Sequence, residues 1–480
     1  MRANVDVIVA GGGTAGSVVA GRLVEAGARV LLVEAGPDHG PRTSGRWPQE
    51  LLDANTIPSS HDWGYVSDDG RAMPFERARV IGGCSAHNGC TINWGHRADY
   101  DGWAQPGWSA DDLLPLFEAA SGRMRVRRFA DDELTPWHAA FIDAGVELGL
   151  PRVDLLETFD VAPSVCAEPS NSPDQIRWNA AFAYLDPVRD RPELVVLADT
   201  LVDHVLFEGD RATGVRVVGA GGAADLFADL VVLAGGTYGS PSILLRSGVG
   251  PAGELRTLGI EPVADLAGVG ANLHDHPAFE LFYAPSDELD RRTATFASTG
   301  RPVPDEQGFA SVASSQAAGG IVDLHIFPEV SLDRRLGIFV ACLTPRSRGR
   351  LRLRSAAPDD PPALDHAYLS DPDGHDLAVL VEGAEMARGF AATGALAPLL
   401  ASELEPGIDS DLGSAIRRGV IHYWHPVGTC AMAAVIDERG RVLGLDGLVV
   451  ADASVMPQTV RATTNLPTIV VAEAIARTLR

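Results

Sequence analysis

One six-residue stretch, Gly11-Gly12-Gly13-Thr14-Ala15-Gly16, limits the possible folds more than any other part of the chain. It follows directly on the apolar, β-rich run Val5, Val7, Ile8, Val9 and Ala10. An apolar helical pattern through Ser17, Ala20, Leu23 and Val24 comes after it. The order is strand, tight turn, helix. A second apolar run, Ala28 to Val33, ends in Glu34, at the spacing of about 20 residues that a βαβ nucleotide-binding unit gives its acidic residue. Each position has a physical reason. Gly11 permits the turn, Gly13 lets the backbone approach a pyrophosphate, and Gly16 lets the helix pack on the sheet. The helix N-terminus offers unpaired N–H groups and a positive dipole end to phosphate. Glu34 stands to accept hydrogen bonds from ribose hydroxyls. The motif predicts dinucleotide binding and by itself leaves NAD and FAD both open.

A chain of 480 residues is too long for one hydrophobic core, so two closely packed domains are expected. Its net charge of −25 argues against nucleic acid or an anionic membrane surface as partner. The five cysteines (Cys84, Cys90, Cys166, Cys342 and Cys430) form no CxxC pair, which suggests neither a disulfide framework nor a zinc site, and no metal is expected. Arg2 and Asp6 spoil a signal peptide, and no segment reads as a membrane span. A cytoplasmic location without membrane attachment is expected.

Residues 36–78 read as excursion loops. Ser109 is a predicted N-cap for a helix carrying Leu113, Leu114 and Phe117, and residues 136–149 read as another helix. Residues 193–218 alternate as successive strands. Asp229 to Gly236 is a buried strand running into glycines, the kind of strand end where open α/β sheets bind ligands. Between 277 and 355, "FELFYAP", "IVDLHIFPEV", "GIFVACLTP" and "GRLRLRS" follow one another without crossover helices, which predicts an antiparallel sheet. Residues 372–404 are helical by pattern (Leu377, Leu380, Val381, Ala384), and a terminal helix runs from Pro467 to Leu479. The expected fold is α/β, a Rossmann-type domain assembled from both chain ends with an α+β domain on a mainly antiparallel sheet inserted. The expected boundaries are 1–150, 190–276 and 425–480 for the first, and 151–189 and 277–424 for the second.

Beside the fingerprint stand "RVIGGCSAHNG" from Arg79, "GSPSILLRSGVGP" from Gly239, "GVGANLHDHP" from Gly268, "PRSRGRLRLRS" from Pro345, "HPVGTCAM" from His425 and "DGLVVADASVMP" from Asp446. In this order they resemble the glucose–methanol–choline oxidoreductases, and the resemblance runs over nearly the whole chain. It implies FAD as cofactor, in a glutathione-reductase-like domain. It further implies that Glu34 binds the adenosine ribose, Val202 meets the adenine side, Asp452 lies near the ribityl chain, and Gly82, Gly83 and Asn88 line the isoalloxazine. Thr14, Ala15, Ala35, Arg79, Gly89, Ala453 and Asn465 complete the implied cofactor set with Gly11, Gly13 and Gly16. Arg177 receives no role. The loop around His87 is most similar to choline-oxidase-like members, which implies covalent attachment of FAD through His87.

Oxidising an alcohol removes a proton from oxygen and a hydride from carbon, so a base must stand beside the flavin N5. By resemblance the base is His425. Asn465 takes the position of the second active-site residue, where an amide can hydrogen-bond the substrate oxygen but not accept its proton; the other reading of Asn465 is an N-cap before Pro467. His422 reads as packed, Tyr423 and Trp424 as candidates for shaping the pocket, and His274 and His276 as part of a turn motif. The implied function is FAD-dependent oxidation of a primary or secondary alcohol (sugar, aminocyclitol, choline-like or aryl) to a carbonyl. Oxygen or an electron carrier is the acceptor, leaving oxidase or dehydrogenase open, and the oligomeric state is open too. The alternatives are a flavin-containing hydroxynitrile-lyase-type enzyme and a choline oxidase or dehydrogenase proper.

Overall fold

The computed structural model describes residues 5–154, 157–330 and 335–479. Arg2 and the expected boundaries at 1 and 480 lie outside the described residues. The strands β1 (Val7–Ala10) and β2 (Val30–Val33) are buried along their whole length, as apolar runs covered on both faces must be. They pair in parallel, with helix α1 (Thr14–Glu25) crossing between them. The parallel sheet has the order Leu448–Val450, Leu230–Leu233, β1, β2, Leu194–Leu197. The chain leaves β1 towards β2 and returns on its other side much later, so the strand order reverses at β1. The crevice at the carboxyl end of β1 is where such sheets bind ligands. An antiparallel three-stranded meander, Thr200–Glu208, Arg211–Gly219 and Gly222–Phe227, follows.

A second sheet is wholly antiparallel, in the order Leu400–Glu405, Pro277–Pro285, Leu336–Cys342, Leu324–Val330, Gly308–Val312, Ser164–Ala167, with Ile421–His422 also pairing to Pro277–Pro285. Each sheet has its own core. Ile8, Val18, Leu32, Val232, Val450 and Ile469 pack in the first; Leu281, Ile326, Ile338, Val340 and Leu380 pack in the second.

Four sequence expectations need correction. The helix predicted over 372–404 is His375–Ala391. Its apolar period stops at Thr393-Gly394, and Leu400–Glu405 instead supplies the edge strand that Pro277–Pro285 lacks. "GRLRLRS" stays out of the large sheet: Arg350–Arg352 pairs only with Ala363–Asp365, because alternate arginines cannot face a covered sheet. A helix, Asp287–Ala297, interrupts the strand series. The Ser286 side chain caps it, and Glu288 pairs with Arg291 and Arg292 one turn on. Finally, Thr464 occupies the N-cap position of the terminal helix, so Asn465 lies inside its first turn. Ser109 does cap Ala110–Arg123, accepting from Asp112 N–H. No described helix is long and apolar enough to cross a membrane, and all five cysteines are free.

Candidate active site

The phosphate end is built by close backbone approach. Gly11 has φ +103, and a Cβ there would stand 2.5 Å from Ala234 O; a Cβ on Gly16 would stand 1.8 Å from Gly11 O. Only glycine fits either place. Gly13 differs, because its Cβ direction meets nothing nearer than Gly83 Cα at 3.7 Å, so the space before the helix is open. No side chain caps α1 and no acid sits in its first turn, so its N–H groups face that space unneutralised. Ala15 is buried, while Thr14 Oγ1 donates to Gly82 O and accepts from Ser85 N.

Glu34 lies at the end of β2 with its carboxylate accepting Gly12 N–H at 2.7 Å and Gly36 N–H at 2.8 Å; burial pushes its carboxyl up while these bonds pull it down. Ala35 O accepts from Arg79 Nε at 3.2 Å, and the Arg79 guanidinium stacks on Trp63. Val202 is buried in the strand whose first residue donates to Glu34 O.

The glycine loop docks on the fingerprint. Gly82 N donates to Gly12 O at 2.8 Å, and a Cβ on Gly83 would come within 2.6 Å of Gly13 Cα. The turn Gly83–Ala86 then carries His87, whose ring is buried with Nε2 2.8 Å from Ser60 O. A carbonyl only accepts, so Nε2 bears the hydrogen and the lone pair is on Nδ1. Burial holds this imidazole below the usual histidine range, in its neutral form. The structure supplies Arg177 with the role the sequence did not suggest. Fully buried, it donates to Asn88 O, Glu50 O, Leu51 O and Thr56 O and so fixes the loop at Asn88. Gly89 faces Glu306.

At the reacting end, His425 is buried among histidines. Its backbone N–H donates to Asp275 Oδ1 at 2.9 Å, and its Nδ1 lies 3.1 Å from Nδ1 of His276. The tautomers follow from the next bond outward. His276 Nε2 is 3.0 Å from Val460 O and must donate to it, so His276 Nδ1 accepts and His425 Nδ1 donates. The lone pair of His425 is thereby placed on Nε2. Burial, and then the neighbouring His276 and Arg77, push the His425 imidazole well below the usual range, so it stands as the free base. His276, read from sequence only as part of a turn, is thus the hydrogen-bond partner of the candidate base. No spacing signal could have joined two residues so far apart.

Asn465 Nδ2 is buried without a hydrogen-bond partner. Asp452 spends its carboxylate on Gly236 N, Ser240 Oγ and Ser454 N, which sets the turn that begins at Ala453. His274 is taken up by Asn272 O and Thr459 N, and His422 by Pro74 O. Tyr423 is buried with its ring 4.3 Å from that of His425, whereas Trp424 is exposed. One trio of ligand-type side chains, Cys342, His375 and Asp376, lies together elsewhere, with the Asp376 oxygens accepting Arg346 N and Ser347 N.

These residues fit FAD. The open, uncapped helix start suits a pyrophosphate, the buried carboxylate at the end of β2 suits a ribose, and the unpartnered amide of Asn465 suits a polar atom brought in from outside.

Comparison with known proteins gives the same picture. Residues 5–278 match the N-terminal and residues 345–472 the C-terminal family model of GMC oxidoreductases. Human mitochondrial choline dehydrogenase is 33% identical over 98% of this chain and 88% of its own. Choline oxidase of Arthrobacter globiformis is 33% identical over 99% of this chain and 94% of its own. Pyridoxine 4-oxidase from Mesorbium loti superposes with a TM-score of 0.87 at 29% identity, covering 99% of each chain. A fungal aryl-alcohol oxidase superposes with a TM-score of 0.81 at 22% identity, again over 99% of each chain, which speaks for the fold.

Proposed function

The chain belongs to the glucose–methanol–choline (GMC) oxidoreductase family, whose members oxidise alcohols with FAD, and from that premise we propose which of its residues do the work. When bound, FAD supplies the hydride acceptor. Gly11, Gly13, Thr14, Ala15 and Gly16 hold its pyrophosphate. Glu34, Ala35, Arg79 and Val202 hold the adenosine end. Gly82, Gly83, Asn88, Gly89, Asp452 and Ala453 surround the flavin end. His425 Nε2 takes the hydroxyl proton of the substrate. Asn465 Nδ2 donates to the substrate oxygen and holds the carbon in place as charge builds on that oxygen. His276 keeps His425 in the tautomer with its lone pair outward and is a positioning residue.

The observation that carries this reading is the directed chain from His425 Nδ1 through His276 to Val460 O, which leaves the other imidazole nitrogen unprotonated and free to accept. We further propose that His87 bonds covalently to the flavin 8α-methyl. A neutral ring with one lone pair is the nucleophile such a bond needs. Such a C–N bond would replace one C–H and one N–H, and the two electrons and two protons would have to pass to oxygen or another oxidant.

We propose the domain boundaries given above from the sheets, since every strand of the parallel sheet falls in one set and every strand of the large antiparallel sheet in the other, with helix Pro136–Glu147 moved to the second domain, whose core it joins, and residues 181–188 to the first. Five free cysteines support a reducing, cytoplasmic setting.

The test is anaerobic mixing of the purified, yellow protein with a panel of alcohols. Bleaching of the flavin with formation of the carbonyl is expected. A flavin that keeps its colour with every alcohol would favour a lyase-type activity instead.

A further inference from the structure

The segment that carries His425 is pinned on both sides. Antiparallel pairing sets Pro277 opposite His422 and Ala278 opposite Ile421. Further along, His274 pairs with Val427, and Val427 N donates to His274 O at 2.9 Å. From one pinned pair to the other the chain takes three steps on the side of His276 and five on the side of His425. Two residues are therefore in excess, and the segment must bulge between His422 and Val427. Bulges beside active sites re-aim a side chain, and here that side chain is His425.

The bulge contains a strained residue. Trp424 has φ +59, in the left-handed region that a bulky side chain enters only when its surroundings hold it there. Burial of the ring does not hold it, since Trp424 is 42% exposed. Its neighbours do. The indole Nε1 donates to Glu76 Oε2 at 2.8 Å, and Trp424 O accepts from the Arg77 guanidinium at 2.9 Å. Just before the bulge, His422 Nε2 donates to Pro74 O at 2.8 Å. The stretch 74–77 thus grips one side of the bulge, and it runs on directly into the loop of Gly82 and Gly83.

Asp275 holds the other side. A bulge takes backbone N–H groups out of the ladder, and a buried N–H needs another acceptor. Asp275 is buried, and its Oδ1 accepts the His425 N–H at 2.9 Å. Burial pushes this carboxyl up to about 7, against the pull of Arg77 and of the N–H groups of His425, His276 and Tyr423. Oδ1 accepts whether or not the other oxygen carries a proton, so the grip does not depend on the charge. Asp275 also directly precedes His276, whose Nδ1 meets that of His425 at 3.1 Å. One side chain therefore sets the backbone spacing across which the two imidazoles touch.

Resting on the reading of His425 as the base, we propose that Asp275 is a positioning residue, whose side-chain oxygen holds the bulge at Trp424 and so keeps the His425 ring on His276 with Nε2 outward. Among the described residues the His425 N–H has no other acceptor. Without one at position 275 the bulge loses its brace, the left-handed turn at Trp424 relaxes, and the His425 ring leaves His276. A displacement of about 1 Å at a reacting group costs about 10²-fold in rate.

The test compares Asp275→Leu, which has the same branched shape and no acceptor, with Asp275→Asn, which keeps an oxygen and loses the charge. In the holoenzyme, the limiting rate of anaerobic flavin reduction should fall about tenfold to a hundredfold in Asp275→Leu, with the apparent Kd of the alcohol little changed. Asp275→Asn should stay close to wild type. Equal losses in the two variants, or no loss in Asp275→Leu, overturn the proposal. Should Asp275→Leu lose its FAD, Asp275→Ala is read in its place; if both lose it, Asp275 serves the fold as a whole and the proposal is overturned. A ring readout separates these outcomes from failure of the base assignment. If His425→Ala reduces flavin at the wild-type rate, the base assignment fails, while NMR of the holoenzyme with isotope-labelled histidine still reports on the ring. The Nδ1–H signal of His425, assigned by its absence in His425→Ala, should persist in Asp275→Asn and vanish in Asp275→Leu. A signal that survives in Asp275→Leu overturns the proposal.

Discussion

His425 shows how a single residue is tuned by what surrounds it. Exposed imidazole titrates near a pKa of about 6.5; burial among His276, Arg77, His325 and His422 pushes this one well below that value. A base is active when unprotonated, so activity should fall as pH drops through its pKa. The acid limb of kcat/KM should therefore lie below the ordinary histidine range, and a limb at or above that range would contradict the burial argument. Losing the group that fixes a catalytic histidine's tautomer costs up to about 10⁴-fold. His276→Ala should accordingly slow flavin reduction and move this limb while FAD stays bound; a merely structural His276 would leave the limb where it is. For His87, acid precipitation is decisive. Colour in the wild-type pellet and colour released to the supernatant by His87→Ala are expected, while a yellow supernatant from loaded wild type rules the bond out.

The turn Gly83–Ala86 is an element whose sequence answers directly to packing. With φ +53 and Gly13 Cα 2.6 Å from where a Cβ would stand, Gly83→Ala must force the loop off the fingerprint. Overpacking of this kind costs about 1–3 kcal/mol, and the variant should purify with less FAD per chain, read from its absorbance spectrum. Elements of this sort are legible in sequence because a local constraint writes a local pattern. The fingerprint, Glu34 and the strand ends were read in that way, and His425 and Asn465 by resemblance. The edge strand Leu400–Glu405 was hidden because its partner, Pro277–Pro285, lies far away in the chain. The pair His276–His425 was hidden for the same reason. Helix Asp287–Ala297 did carry a readable signal, a serine cap followed by Glu288 and Arg292 one turn apart, which the expectation of a continuous strand series overrode.

On the scale of the whole molecule, the helix that follows the glycine fingerprint and the terminal helix meet. The terminal helix packs on α1, and the 459–463 segment that supports His276 is tied to residue 99 by a buried ion pair, Arg461 with Asp99, reinforced by Arg461 N–H at 2.8 Å. Removing one partner of a buried pair costs about 3–5 kcal/mol, so Asp99→Ala should lower the melting temperature markedly; an unchanged melting temperature would show the pair to be incidental. All of these parts serve one claim, that a buried neutral imidazole accepts the proton while hydride leaves the substrate carbon. Rapid anaerobic mixing of His425→Ala with an alcohol that reduces the wild-type flavin tests that claim most directly. The account predicts a protein with its full content of FAD whose flavin is reduced about 10²–10⁴-fold more slowly, and reduction at the wild-type rate would contradict it.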